Sequence, residues 1–285
     1  MIRIATQTFC LKKELQQDIC ATLHALHDIG FDAVEPLILF REKQLDAAKN
    51  TPAFETLPEF YSVMQRLGMA MPSAHVGAGV GLDAPAAQQI ARDILMLQEK
   101  YGLQDFVLSG VFDSPETVRL WAALANEVRR LTAGGGCRIL YHNHDDEFTS
   151  ISHNGQTVPA MDAFLELTHG DILLELDIGW AGVAGDERVI VEKYAQNIGL
   201  LHLKDVYAQY RNGSYRRTNM PPEAFAATGE GSIATKAILS RLDSLPCFRG
   251  TLVIDQDAAG AEDMLAALKR GHDNVRAMLK ELGRG

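Results

Sequence analysis

Near the middle of the chain, a short apolar stretch is followed by a run of ionisable side chains. Residues 138–141 are Arg-Ile-Leu-Tyr, and residues 142–147 are His-Asn-His-Asp-Asp-Glu. His142 and His144 are two residues apart, so in an extended chain their side chains point to the same side. Imidazole nitrogens bind divalent metals and exchange protons near neutral pH. The pattern therefore predicts a site for metal binding or proton transfer. The alternative is a polar loop that is exposed to solvent.

Three other apolar stretches end in similar side chains. Asp177 closes residues 172–177, His202 and Lys204 close residues 199–204, and Asp255 closes residues 251–255. A lone histidine on a strand is usually a hydrogen-bonded core residue, and a lone aspartate at a strand end often caps a helix. Four such ends together favour one shared site over four unrelated residues. Their oxygen and nitrogen ligands suit Mn²⁺, Co²⁺, Mg²⁺ or Zn²⁺.

The segments that must position these side chains alternate between strand-like and helical spacing of their apolar residues. Short strand-like stretches are predicted at residues 2–9, 31–37, 69–76, 105–109, 138–143, 172–177, 199–204 and 251–255. Helical spacing is predicted at residues 15–29, 54–67, 85–101, 115–131, 159–168, 187–197 and 261–282. Eight such repeats predict an α/β protein with a single (β/α)₈ TIM barrel, whose strand ends converge at one end. An open doubly wound sheet is the alternative, and the lack of a Gly-x-Gly-x-x-Gly after the first strand weakens it.

Length and composition agree with one large domain. The chain has 285 residues, of which 47% are hydrophobic and 22% are charged. We expect one domain over residues 1–285, with an irregular excursion at about 206–232. Its basic and aromatic residues, among them Tyr207 and Arg217, either cover the barrel mouth and meet a polar ligand or form a surface or oligomer contact.

Charge and cysteine usage exclude some partners. The net charge of −10 argues against a protein that binds nucleic acid through its phosphates. No apolar run is long enough to cross a membrane, and no secretory signal is visible. The scattered cysteines form no metal-binding spacing, which predicts reduced thiols and a cytoplasmic location. These residues are Cys10, Cys20, Cys137 and Cys247. A homo-oligomer stays an open alternative to a monomer.

Several motifs together resemble a known family nearly end to end. The stretches that carry the resemblance are residues 30–35, 67–75, 141–148, 175–180, 201–205, 229–233 and 253–257. The combination of His-Asn-His, Leu-Asp-Ile-Gly-Trp and His-Leu-Lys-Asp is the most specific part. The chain resembles the xylose-isomerase-like TIM barrels, within the sugar phosphate isomerase/epimerase group that includes inosose dehydratases and keto-sugar epimerases.

The resemblance implies a divalent metal held by four strand-end residues. In the family these are Glu, Asp, His and Glu, and the second and third match Asp177 and His202. The first is replaced here by His142 or His144, as is usual in the His-Asn-His subgroup. The last matches Asp255, which is one methylene shorter than glutamate.

The resemblance also implies residues for the substrate and for proton transfer. From the resemblance, Glu35, His75 and Lys204 are expected to line the pocket. Arg217 is a candidate for substrate binding because it lies in the basic and aromatic excursion, which could also be a surface contact. The candidates for acid–base residues are Glu147, His144 and Asp255. Histidines within helices or away from strand ends are expected to lie outside the site. These are His24, His27, His153, His169 and His272.

The chemistry implied is removal of a proton next to a carbonyl of a small carbohydrate. A metal that polarises the carbonyl stabilises the resulting enediolate. Return of the proton gives an isomerase or epimerase, and loss of a β-hydroxyl would give a dehydratase. A non-catalytic sugar-binding barrel is a further alternative. A metal-dependent phosphodiesterase is disfavoured, because such barrels need more ligands and a basic face.

Overall fold

The computed structural model describes residues 2–39, 57–78, 81–211, 213–259 and 263–285. Within these ranges, nine strands form one parallel sheet. In their order across the sheet they are β2 (Ala33–Glu35), β1 (Arg3–Gln7), β13 (Thr251–Ile254), β10 (Ile198–Leu203), β9 (Leu173–Asp177), β6 (Arg138–His142), β5 (Asp105–Ser109), β4 (Ser73–Ala78) and β3 (Leu37–Leu39). Two antiparallel pairs are separate from it, β7 (Ser150–His153) with β8 (Gln156–Pro159) and β11 (Asp205–Val206) with β12 (Phe225–Ala226).

The large sheet closes at Pro36. β2 pairs with β1 and β3 pairs with β4, while only Pro36 separates β2 from β3 in the chain. Proline has no N–H to donate, so it interrupts the strand. Its carbonyl oxygen still accepts a hydrogen bond from the backbone nitrogen of His75 at 2.9 Å. β2 and β3 therefore serve as one of eight barrel strands, and the predicted single TIM barrel of the α/β class is confirmed.

Helices connect most of the barrel strands. In the described ranges they are α1 (Lys12–Gln17), α2 (Ile19–Ile29), α3 (Leu57–Leu67), α4 (Ala84–Tyr101), α5 (Pro115–Thr132), α6 (Ala160–Leu167), α7 (Ile178–Ala184), α8 (Glu187–Lys193), α9 (Thr235–Leu239) and α10 (Met264–Glu281). Side-chain caps explain several starts. Asp83 accepts a hydrogen bond from the backbone of Ala86, and Ser114 forms a capping box with Thr117. Such caps satisfy backbone N–H groups that have no partner within the helix.

The helices differ from the sequence prediction in several places, including α9, which lies where no helix was predicted. The region predicted as one helix at residues 15–29 is two helices, because Asp18 is extended and its side chain caps α2 through the backbone nitrogen of Ala21. α7 begins directly after β9, in a stretch where no helix was predicted. Residues 54–56 and 261–262 of two predicted helices lie outside the described residues.

Alternation along the strands separates two apolar regions. Ile139 and Tyr141 of β6 belong to the large core between the sheet and the helices. Leu140, between them, contacts Val107 and Leu200 in a separate small cluster. Because successive strand residues face opposite sides, this cluster lies inside the barrel. Together with Ala5, Ala33 and Val253, which form a second small cluster, we call it the plug.

The amino-terminal end of the barrel is closed by an ion pair. Arg138 begins β6, and its Nε donates to Oδ1 of Asp105 at 2.7 Å, while Nη2 donates to Oδ2. Nη1 of Arg138 donates to the carbonyl oxygen of Cys247 at 2.8 Å. Only 12% of the Arg138 side chain and 9% of the Asp105 side chain are exposed.

The described residues of the excursion at 206–232 are held together by backbone pairing and by one carboxylate. β11 and β12 pair within it, and Asp205, just before it, accepts hydrogen bonds from the backbone nitrogens of Val206, Gly229, Gly231 and Ile233. A Cβ on Gly231 would lie 2.2 Å from Oδ1 of Asp205, so this close approach requires glycine. The carboxylate therefore holds both ends of the excursion against β10.

Two further features concern the rest of the molecule. All four cysteines lie in the described part of the chain and are free thiols there. Among the described residues, no helix is both long and apolar enough to traverse a bilayer.

Candidate active site

β6 shows how the sequence positions the site. Its inward-facing residues are Arg138, Leu140 and His142, so one strand runs from the ion pair through the plug to a histidine. Likewise, β9 brings Glu175 and Asp177 to the inner side, one above the other. The polar side chains therefore lie above the plug, at the carboxyl ends of the strands.

Among the described residues, two overlapping groups of side chains could hold a metal ion. In each group, one ligand atom from every residue lies within 4.8 Å of the others, and every residue is buried. We call them the deep group, formed by His75, His142, Glu175 and His202, and the mouth group, formed by His142, Asp177, His202 and Asp255. His142 and His202 belong to both.

The deep group is centred on one oxygen atom. Oε2 of Glu175 lies 2.7 Å from Nε2 of His75, 3.1 Å from Nδ1 of His142 and 3.0 Å from Nε2 of His202. Oε1 of Glu35 lies 2.9 Å from the same Nε2 of His202 and 3.3 Å from Nε2 of His75. The two glutamates and His202 are fully buried.

Charges in the deep group compensate one another. Burial favours neutral histidine, but Glu175 and Glu35 outweigh it, raising the pKa of His75 to about 9 and the pKa of His202 well above its usual value. Burial likewise favours neutral glutamate, yet His202 and His75 hold the pKa of Glu35 well below its usual value. Burial keeps the pKa of His142 low. Two cations thus face two carboxylates.

At the mouth of the barrel, carboxyl groups outnumber ammonium groups among the described residues. Nζ of Lys204 lies 2.8 Å from Oδ2 of Asp255, 2.7 Å from Oδ2 of Asp257 and 3.4 Å from Oδ2 of Asp177. These carboxylates raise the pKa of Lys204 well above its usual value despite the opposing effect of burial. Burial raises the pKa of Asp177 to about 7, more than Lys204 lowers it. One ammonium group therefore faces three carboxyl groups in this part of the described structure.

Asp177 is fixed by three contacts. Its Oδ1 accepts a hydrogen bond from the backbone nitrogen of Trp180 at 2.8 Å and so caps α7. The side chain of Asn143 bonds both the backbone nitrogen of Asp177, at 3.0 Å, and its carbonyl oxygen, at 3.2 Å. A Cβ on Gly179 would lie 2.7 Å from Cβ of Lys204, so glycine allows α7 to approach β10. Oδ2 of Asp177 is left facing Lys204.

His144 lies beside both groups and belongs to neither. Its ring is 5.2 Å from that of His142 and 6.0 Å from that of Trp180. Nδ1 of His144 is buried and has no hydrogen-bond partner among the described residues. Burial and the charges of Arg217 and Lys204 hold the pKa of His144 well below its usual value. The imidazole is therefore neutral.

Both carboxylate oxygens of Glu147 accept hydrogen bonds from residues close to it in the chain. Its Oε1 accepts a hydrogen bond from the hydroxyl of Tyr141 at 3.0 Å, and its Oε2 accepts one from the backbone nitrogen of His144 at 2.8 Å. Burial raises the pKa of Glu147 to about 8. These contacts make Glu147 a support for the loop that carries His144.

Arg217 connects the excursion to the same loop. Its backbone nitrogen donates to Oδ1 of Asp145 at 2.9 Å, and its Nη2 lies 3.3 Å from Oδ2 of Asp146. Nε of Arg217 is buried and has no hydrogen-bond partner among the described residues. The excursion therefore lies against the loop after β6, and the charge of Arg217 acts on His144.

The structure brings most of the candidate residues together. The mouth group contains His142 rather than His144, while Glu35 and His75 lie deeper, against His202. The sequence analysis missed Glu175 as a site residue. Its signal was the spacing of two between Glu175 and Asp177, which places both side chains on the same face of a strand.

The remaining histidines have other surroundings. His24 and His27 are exposed on α2, His153 is at the β7–β8 hairpin beside Glu166, and His169 has a positive φ just after α6. His272 of α10 packs against Phe31. Neither metal-binding group contains any of these five histidines.

The fold and the cluster at the strand ends together define a class of protein. A family model described as xylose isomerase-like TIM barrel matches residues 23–278. The chain belongs to this family. No functionally curated protein matches the sequence.

Solved structures show the same barrel at low sequence identity. A sugar phosphate isomerase/epimerase from Parabacteroides distasonis has a TM-score of 0.76 and 17% identity, over 97% of this chain and 94% of the other. A xylose isomerase-like TIM barrel protein from Mycobacterium smegmatis, in complex with magnesium, has a TM-score of 0.69 and 14% identity, over 99% and 98%. The probable 3-DHS dehydratase from Bacillus anthracis has a TM-score of 0.68 and 12% identity, over 96% and 99%. At identities this low, these structural matches show a shared fold.

Proposed function

We propose that this protein is a divalent-metal-dependent isomerase or epimerase that acts on a keto-sugar, a sugar phosphate or a cyclitol. The observation that carries the proposal is the mouth group. It combines two imidazoles and two carboxylates at the carboxyl ends of four barrel strands, where barrel enzymes hold their active sites. The family and the isomerase/epimerase among its structural neighbours support the same class of reaction.

Charge favours the mouth group over the deep group as the metal site. In the deep layer, His75 and His202 already pair with both glutamates through their Nε2 atoms. At the mouth, Lys204 balances only one of three carboxyl groups, and Oδ1 of Asp255 accepts no hydrogen bond from the described residues. A divalent cation would neutralise this surplus. His142, Asp177, His202 and Asp255 are therefore the proposed ligands.

The bound ion would polarise the substrate carbonyl and stabilise negative charge on its oxygen. His144 is the proposed base, because its neutral ring has an unpaired nitrogen beside the mouth group. Lys204, whose ammonium is held by the aspartates of the mouth, supplies positive charge near the developing enediolate. Trp180 and Phe225 lie within 5.5 Å and 5.9 Å of that ammonium, measured to their ring centres, and form an apolar side of the site.

Isotope exchange tests this chemistry. The metal-loaded protein is incubated in D₂O with a panel of keto-sugars, keto-sugar phosphates and inososes, and the hydrogen next to the carbonyl is followed by NMR. We expect exchange and isomer formation on one class of substrate, both lost on chelation and restored by Mn²⁺, Co²⁺, Mg²⁺ or Zn²⁺. Equal turnover of the chelated protein would overturn the role of the metal.

A dehydratase is the second candidate. The similar barrel from Bacillus anthracis is named as a probable 3-DHS dehydratase, and removal of the same proton can precede loss of a β-hydroxyl. Release of water with formation of an absorbing enone would identify this outcome in the same experiment. A purified protein that retained no metal and exchanged no hydrogen would point instead to a sugar-binding barrel.

A further inference from the structure

Glu175 lies one pleat below the proposed ligand Asp177 on β9 and does not face the mouth. It is fully buried, and its Oε2 is within 3.1 Å of a ring nitrogen of three histidines. Two of these, His142 and His202, are shared with the mouth group. The carboxylate is therefore placed to act on the metal site through its histidines.

We infer that Glu175 is a positioning residue that fixes which ring nitrogen of His142 and His202 faces the metal. This inference rests on the proposed function. A carboxylate accepts hydrogen bonds and donates none, so Nδ1 of His142 and Nε2 of His202 carry the protons that point at Glu175. Nε2 of His142 is then free to bind a cation. Nδ1 of His202 lies 3.2 Å from Oδ2 of Asp255 and would give up its proton when a cation binds between them.

The rest of the deep layer holds Glu175 and its histidines in place. His75 donates to Glu175 at 2.7 Å, and Glu35 shares the proton on Nε2 of His202 at 2.9 Å. Ser73 donates to the other oxygen of Glu35. A histidine that donates one ring N–H to a carboxylate has a fixed tautomer and a more basic second nitrogen, which strengthens metal binding.

The pairing of His142 with Glu175 makes a specific prediction. Nδ1 of His142 lies 3.1 Å from Oε2 of Glu175. His142 would supply the metal-binding atom and Glu175 the negative charge behind it. Glu175 should consequently matter less when position 142 is a glutamate, which carries its own negative charge.

The first test measures Mn²⁺ affinity by calorimetry for the full-length wild-type protein, Glu175→Gln and Glu187→Gln. Glu187 is the matched control, because it is a buried carboxylate that holds Arg211 and the backbone of Ala234 instead of a histidine. Loss of a residue that supports a ligand weakens metal binding by about 10–100-fold. We expect that loss for Glu175→Gln and a change below about threefold for Glu187→Gln. Equal affinities of the wild type and Glu175→Gln would overturn the inference.

The second test uses the double variant His142→Glu/Glu175→Gln. If Glu175 acts through His142, its substitution should weaken Mn²⁺ binding less in the His142→Glu background than in the wild type, as a double-mutant cycle reports. The same loss in both backgrounds would refute the part played by His142. Complete loss of binding in Glu175→Gln, with binding retained in Asp255→Asn, would make Glu175 a direct ligand of the deep group and overturn the positioning role.

A third measurement needs no substitution. In the Zn²⁺-loaded wild-type protein, ¹⁵N NMR of the histidine rings should show the proton of His142 on Nδ1 and that of His202 on Nε2. The opposite assignment for either ring would overturn the inference. A wild-type protein that binds no divalent metal would instead defeat the proposed function, so the two failures are distinguishable.

Discussion

The same strands carry charged side chains at both ends of the barrel, but the charges are paired differently at the two ends. At the amino-terminal end, the charge of Arg138 is met by the carboxylate of Asp105 and a backbone carbonyl. At the carboxyl end, three carboxyl groups crowd one ammonium group, and atoms such as Nδ1 of His144 have no partner among the described residues. The first arrangement stabilises the folded chain, while the second leaves charge for a ligand to satisfy. Substitutions at the two ends should therefore separate stability from activity.

The largest effect is expected for Asp177→Asn. Asparagine keeps an oxygen that can cap α7 but removes the charge that binds the metal. Metal retention, and with it metal-dependent turnover, should be abolished, because a ligand loses its charge. Metal analysis after gel filtration and the rate of substrate turnover measure both quantities. Full metal content in this variant would contradict the proposed site, provided that circular dichroism shows an intact fold.

A smaller loss is expected for His144→Asn. Removal of a general base typically lowers the rate by about 10²–10⁴-fold, and metal affinity should change little because His144 lies outside the mouth group. Glu147→Gln is the matched control, because burial raises the pKa of Glu147 to about 8 and its proton is retained at neutral pH. This control should keep activity within a few-fold. The reverse ranking of kcat would make Glu147 the base.

At the other end, Arg138→Ala should unfold more easily without losing activity. Removing one partner of a buried ion pair costs about 3–5 kcal/mol, because the other charge is left unpaired. Denaturant titration should show this loss, with kcat/KM per folded molecule unchanged. The control is Arg138→Met/Asp105→Leu, which removes both charges and should recover most of the stability. A large fall in kcat/KM would show that the two ends are coupled.

The smallest effect is expected for His272→Leu. His272 of α10 packs against Phe31, and its Nδ1 lies 3.6 Å from Oδ1 of Asp273, too far for a hydrogen bond. An apolar side chain of similar size should therefore change stability by less than about 1.5 kcal/mol. Activity and metal affinity should be unchanged. A loss of activity in the folded variant would contradict the placement of the helix histidines outside the site.

Sequence periodicity predicted the barrel because each strand–helix repeat carries its own pattern. It failed where a local contact overrides that pattern. Asp18 ends one helix and caps the next, and Pro36 divides one barrel strand into β2 and β3. α7 was not predicted because residues 178–184 are apolar, like the strand before them, and lack the polar face of a typical surface helix.

The candidate site was predictable only in part, for a similar reason. Strand ends indicated Asp177, His202 and Asp255, since the carboxyl ends of parallel strands converge. The choice between His142 and His144 needed the fold, because β6 ends at His142 and the chain then turns. Glu175 was hidden by its apolar neighbours in the sequence, Leu174 and Leu176, although its contacts cross the barrel to other strands.

Asp177 also sets a limit on evolutionary change. One of its oxygens caps α7 through Trp180, and the other faces Lys204 at the mouth. Asparagine preserves the cap and loses the charge, whereas glutamate preserves the charge but moves the capping oxygen by one methylene. In a saturation library selected for activity, this position should accept almost no alternative, and no neighbouring substitution could restore both functions at once. A lineage that abandoned the metal could keep asparagine here, so an asparagine at this position would mark relatives that retain the barrel and have changed chemistry.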